Sequence, residues 1–250
     1  GLWGSQFSRS SNKLKTLRRS GYYREIIVAF GQPQAKDSNA ATVKQRVFDL
    51  SVQSWQRHVE NLPTLTDAWI SSVKKAERRK LSLTDGMSKP LTADKALTAA
   101  WAISHRIRQI SPEQNIGLLL PTSTGGVLCN MATLLAGKTI VNLNYTASQS
   151  ALQAAIEQAG IETIYTSRRF IEKLSKRNAD VVSVLEGRYL IYLEDLHSQI
   201  HFNETFWRWL AIRVLPARIL KHICNHTHDS QQTAAILFSS GSEGLPKGVM

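Results

Sequence analysis

Between residues 116 and 238 the chain alternates short, β-rich apolar runs with stretches of helical periodicity, and few folds accept that rhythm. Residues 116–120, 139–143, 163–165, 189–193 and 234–238 read as strands, and 126–136, 148–159 and 168–176 as helices. The alternation predicts an α/β fold, a mostly parallel sheet with helices on both faces. Ligands of such sheets bind beyond the carboxyl ends of strands. The last of these strands, 234–238, runs directly into a serine- and glycine-rich loop.

The flanking segments read differently. Residues 1–23 are polar and basic with weak periodicity, 25–30 read as a strand closed by Gly31-Gln32-Pro33, and 40–58 as a helix. Val43, Val47, Leu50 and Ser54 share one face of that helix. Asn61-Leu62-Pro63 is the expected boundary, dividing the chain into 1–61 and 62–250. Thr66-Asp67 is expected to cap a helix to about residue 80, and Thr92 a helix over 93–110 whose apolar face holds Leu97, Trp101, Ile103 and Ile107. The uncharged stretch 114–137 is long enough to span a membrane. Pro121, Thr122, Ser123, Thr124, Gly125, Gly126 and Asn130 break it, so it reads as strand, turn and helix.

Two cysteines in 250 residues, Cys129 and Cys224, give no disulfide framework and fit a reducing compartment. The net charge of +12 draws on early basic residues (Arg9, Lys13, Lys15, Arg18, Arg19) and on Lys74, Lys75, Arg78, Arg79 and Lys80. Such a balance suits anionic partners, a phospholipid surface, nucleic acid or an acidic carrier protein, or is simply a solvated basic face.

The loop itself is Ser239-Ser240-Gly241-Ser242-Glu243-Gly244-Leu245-Pro246-Lys247-Gly248. Gly241, Gly244 and Gly248 let the backbone approach a ligand, so that successive N–H groups can face anionic oxygens. Ser239, Ser240 and Ser242 add hydroxyl donors, and Lys247 adds a mobile positive charge suited to phosphate. The order is not that of a Walker A loop. A glycine–serine hairpin turn would not need strand, hydroxyls, three glycines and Pro-Lys-Gly in sequence.

Residues 238–248 resemble the phosphate-loop signature of the adenylate-forming superfamily, [FY]-T-S-G-[ST]-T-G-x-P-K-G, with Ser239 and Glu243 in place of threonines. Glu243 resembles the form found in the bacterial branch that makes acyl-acyl-carrier protein. The segments 64–69, 116–121 and 135–144 also look like the opening of such a large domain. The resemblance implies ATP and Mg²⁺ as reactants, with Ser239, Ser240, Gly241, Ser242, Glu243, Gly244, Lys247 and Gly248 around the phosphates. It implies a fatty acid as substrate and an acyl-carrier protein as partner, with a ligase charging coenzyme A as the rival.

Residues 1–5, 24–33 and 43–47 are similar to the tail of a lysophospholipid acyltransferase, without its H-x-x-x-x-D motif. Both resemblances together imply a bacterial fusion of the two activities, acting on lysophospholipid at the cytoplasmic face of the inner membrane. The family's adenine-binding segment, Mg²⁺-binding glutamate, hinge and C-terminal lysine are then expected beyond Met250, leaving the 250 residues inactive alone. The alternative of another class is a basic membrane- or nucleic-acid-binding module, for which no nucleic-acid motif is present. His222, Cys224, His226, His228 and Asp229 match no standard zinc spacing and read as a polar loop. The aromatic and basic residues of 202–221 suit either a membrane interface or a helix packed on the sheet, broken at Pro216.

Overall fold

The computed structural model describes residues 27–60, 62–75, 81–86, 88–177, 182–227, 229–239 and 247–249. The chain divides into two units, Gly1–Leu62 and Pro63–Met250. The first holds one described helix, α1 (Ala40–Glu60), none of whose residues is buried. Asn39 caps it, its Oδ1 accepting from the Thr42 amide at 2.8 Å. Of the strand expected over 25–30, residues 25 and 26 lie outside the described residues and 27–30 are not in a strand: Val28 and Phe30 are 70% and 91% exposed, and no described strand pairs with them. Apolar alternation favours a strand only where another strand offers its backbone.

The second unit opens with α2 (Leu65–Lys75), capped by Thr64, whose Oγ1 accepts from the Asp67 amide. The cap therefore falls two residues before Thr66. A short antiparallel ladder follows, β1 (Leu81–Leu83) with β2 (Leu91–Thr92), and leads into α3 (Ala93–Ile110). Thr92 stands at the expected N-cap position of α3. Its hydroxyl donates to Asp94 and takes no backbone donor.

The expected alternation then appears. The elements are β3 (Asn115–Leu118), α4 (Thr124–Leu135), β4 (Thr139–Asn142), α5 (Gln149–Gln158), β5 (Thr163–Thr166), α6 (Arg168–Arg177) and β6 (Tyr189–Tyr192). After them come α7 (Leu193–Gln199), α8 (Phe202–Val214), α9 (Ala217–Cys224), β7 (Ala235–Ser239) and β8 (Lys247–Val249). The sheet order is β6-β5-β3-β4-β7-β8. Every pairing is parallel except that of β7 with β8. Pro216 separates α8 from α9, as its missing N–H requires. Among the described residues no helix is long and apolar enough to cross a membrane, and the uncharged stretch 114–137 is β3, a turn and α4.

Successive residues of each strand feed opposite layers. Ile116, Leu118, Ile140 and Tyr165 join one apolar cluster with α2, α3, α4, α8 and α9. Leu119, Val141 and Ile164 join the other with Leu152, Ile156, Phe170 and Leu174 of α5 and α6. That two-sided burial is why the middle residues of the parallel strands are apolar, while Asn115, Thr139, Asn142, Thr163 and Thr166 stand at strand ends. Tyr165 is fully buried and its hydroxyl bonds that of Ser111 at 2.8 Å. Burial pushes its phenol up to about 12 despite that bond.

Candidate functional site

β7 is assembled from both of its edges. On one side it pairs with β4, Ile140 facing Ala235 and Val141 facing Ile236. Upstream, Thr139 Oγ1 donates to Thr233 O at 3.0 Å, and Gln232 Nε2 to Gly137 O at 2.8 Å. Gly137 makes the sharp exit from α4 at φ +76°, and a Cβ there would lie 2.8 Å from His226 O. The start of β7 is thus fixed against the turn that precedes β4.

On the other edge β8 returns antiparallel, with Leu237 facing Val249, Phe238 facing Gly248 and Ser239 facing Lys247. Directly opposed residues of an antiparallel pair project to the same face. Ser239 and Lys247 therefore stand side by side, both exposed, at the carboxyl rim of the parallel strands. Ser239 Oγ donates to Lys247 O at 3.4 Å. Gly248 permits the close approach of the strands, since a Cβ there would meet Phe238 Cε1 at 3.3 Å and Ile236 Cγ2 at 3.4 Å.

The structure thus brings together Ser239, Lys247 and Gly248 of the expected site. Ser240, Gly241, Ser242, Glu243 and Gly244 lie outside the described residues. The hairpin nonetheless fixes where their loop begins and ends. Residues 240–246 must bridge one rung of a ladder, a span longer than the roughly 2–5 residues of ordinary hairpins. A hydroxyl and an ammonium group at its two ends form a donor set that fits a polyphosphate. Among the described residues no three His, Cys, Asp or Glu side chains come together.

Neighbouring features of the same rim serve the scaffold. Pro121 O lies 2.7 Å from where a Cβ on Gly126 would sit, so the turn after β3 is packed onto α4. Ser123 Oγ accepts from Gly126 N, and Asp85 Oδ2 accepts from Thr124 N at 2.9 Å. Two of the amides at the N-terminus of α4 are therefore taken by the protein's own side chains. One polar pair escaped the sequence reading: Asn142, closing β4, donates to Asn130 Oδ1 at 2.9 Å, and Asn130 donates to Gly126 O. An asparagine at a strand end looks like any turn residue. The polar run near 222–229 is structural in its described part. Cys224 is buried, its thiol pushed up to about 12 by burial, and Asn225 Nδ2 donates to Asp67 and to Thr227 O.

A mostly parallel α/β sheet with Ser239 and Lys247 exposed at its carboxyl rim places the chain in the class of α/β proteins that bind ligands beyond the carboxyl ends of their strands. Within that class, residues 72–250 match the model of the AMP-binding enzyme family, and the chain belongs to it. A nonribosomal peptide synthetase of Aspergillus rugulosus is 28% identical over 142 residues, 57% of this chain and 2% of that protein. A 4-coumarate–CoA ligase-like protein of Arabidopsis thaliana is 24% identical over 137 residues, 54% of this chain and 22% of that one.

Among solved structures, an anthranilate CoA ligase in complex with anthranoyl-AMP superimposes with a TM-score of 0.55 at 15% identity, covering 76% of this chain and 34% of its own. A fatty acyl-adenylate ligase from L. pneumophila, in complex with acyl adenylate and pyrophosphate, gives 0.52 at 16% identity, covering 77% and 31%. These likenesses show the fold. The chain spans about a third of the length of those two structures.

Proposed function

We propose that this chain belongs to a ligase that activates a fatty acid with Mg·ATP and passes the acyl group to the phosphopantetheine thiol of an acyl-carrier protein. The observation that carries the reading is the β7–β8 hairpin, which sets Ser239 opposite Lys247 at the rim of the sheet in a chain of the AMP-binding family. ATP supplies the activation: the carboxylate oxygen attacks the α-phosphorus, the bond to the bridging oxygen breaks, and pyrophosphate leaves. The thiol sulfur then attacks the acyl carbonyl, and AMP leaves with the electron pair of the broken C–O bond.

In this reading Ser239 and Lys247 donate to the β- and γ-phosphates, together with Ser240, Ser242 and the backbone of Gly241, Gly244 and Gly248. Their charge and hydrogen bonds stabilise departing pyrophosphate and hold the phosphates in line. Glu243 marks the carrier-protein branch. Residues 1–61 would close a lysophospholipid acyltransferase domain, a reading supported by sequence resemblance. The net charge of +12 supports work at the cytoplasmic face of a bacterial inner membrane.

The test is fatty-acid-dependent ATP–pyrophosphate exchange in the protein from the complete reading frame, followed by competition between acyl-carrier protein and coenzyme A as acceptor. Exchange with acyl transfer to the carrier is the expected result. Transfer to coenzyme A alone would move the assignment to the acyl-CoA synthetases. Absence of exchange with any fatty acid would overturn it.

A further inference from the structure

We infer that Asn142 binds the acyl acceptor, its side-chain oxygen taking the amide N–H that stands an ethylene spacer from the thiol of a pantetheine arm. The inference rests on the ligase reading above and adds a contact to the same rim. Asn142 closes β4 and is exposed. Its Nδ2 donates to Asn130 Oδ1 at 2.9 Å, and Asn130 Nδ2 donates to Gly126 O at 2.8 Å. The helix backbone sets the direction of this chain of amides. A carbonyl can only accept, so Asn130 gives its nitrogen to Gly126 and its oxygen to Asn142. Asn142 Oδ1 is then left as an outward acceptor with no partner among the described residues.

The sheet sets that acceptor on the same side as the phosphate donors. Ala235 packs on the first apolar cluster, and Ile236 and Phe238 on the second. Leu237 and Ser239 therefore project to the α4 side, where Asn142 meets Asn130. Lys247 and Val249 oppose Ser239 and Leu237 and share that side. Extending the register of Ile140 with Ala235 and Val141 with Ile236 sets Asn142 beside Leu237. Strand spacings then put its Cα about 8 Å from that of Ser239. Leu237 and Val249, 59% and 60% exposed, form an apolar floor next to it.

An outward acceptor selects a ligand that carries a donor. The fatty carboxylate and the phosphates are themselves acceptors at neutral pH, which leaves the nucleoside and the amides of the thiol acceptor. A nucleoside carries several polar groups at close spacing, which the exposed Leu237 and Val249 would leave unpaired. The amide nearest the thiol lies between methylene groups, so a single acceptor beside an apolar floor matches it. With the sulfur at an acyl group next to the phosphate loop, the ethylene spacer brings this amide to the neighbouring strand end. Carrier protein and coenzyme A bear the same arm, and the contact serves either.

The experiment compares N-acetylcysteamine, which has the amide, with butanethiol, which lacks it, as acceptors for the protein from the complete reading frame. Asn142→Leu should raise the KM for N-acetylcysteamine and for acyl-carrier protein about tenfold. Butanethiol should serve parent and variant alike, and ATP–pyrophosphate exchange, which needs no thiol, should change by less than about twofold. An equal rise in KM for both thiols would make Asn142 a scaffold residue. A matching fall in exchange would assign it to the nucleotide or the fatty acid, and an unchanged KM would remove it from the site. Each of these overturns the inference. Should Asn142→Leu lose its circular dichroism, Asn142→Ala decides by the same comparison. Any of those three results with exchange present in the parent leaves the ligase reading standing, whereas a parent without exchange overturns both.

Discussion

At the scale of single residues the proposed phosphate chemistry turns on Lys247. Its neighbour across the ladder is Ser239, so its charge stands at the mouth of the 240–246 loop whatever path that loop takes. Preorganised donors of this kind are worth more to a departing pyrophosphate than to ground-state substrate. In the complete protein, Lys247→Ala should cut fatty-acid-dependent ATP–pyrophosphate exchange by about 10²-fold with little change in thermal midpoint, and Lys247→Arg should restore part of it. Exchange unaffected by the alanine would remove Lys247 from the site. Gly137 tests the scaffold instead of the chemistry. Its φ of +76° and the 2.8 Å that would separate an alanine Cβ from His226 O leave no room for alanine. Gly137→Ala should lower stability by about 3 kcal/mol, read from the urea midpoint.

At the scale of elements, α8 is held to α3 by Asp94. Burial alone would raise its carboxyl, but the Thr92 hydroxyl, Arg213 and the Lys95 amide outweigh it and hold it below the ordinary 3.8. A group whose folded value is depressed stabilises fully above its unfolded value and loses that contribution as pH falls through the folded one. Asp94→Asn should therefore cost about 2 kcal/mol near neutral pH, and the difference from wild type should shrink as pH drops below about 3.8. A gap that stays constant into acid would assign the loss to packing. The same elements show what the sequence could tell. The helix over 93–110 was legible because Leu97 and Ile107 repeat at helical spacing and are fully buried. The described part of the strand expected over 25–30, residues 27–30, is not one, because local β propensity forms a strand only where a partner strand pairs with it. The two-stranded ladder of Leu81–Leu83 with Leu91–Thr92 was missed for the same reason. The loop was readable from its glycines and lysine, whereas the antiparallel return of β8 was not: three residues carry no period.

At the scale of the whole molecule, both apolar clusters draw their described residues only from the second unit, beginning at Trp69. Helix α1 adds no buried residue of its own. A domain's stability comes mainly from its own buried apolar surface. Residues 63–250 alone should therefore keep the helix and strand content that these residues have in the longer chain. Their urea midpoint should match the main transition of the 250-residue protein. Circular dichroism and tryptophan emission of the two forms, compared during the same titration, measure this. Trp69 and Trp101 pack against the first cluster and report its opening. A shorter form without cooperative unfolding would overturn the assignment of stability to the second unit's own buried core, and with it the independence of the β7–β8 hairpin.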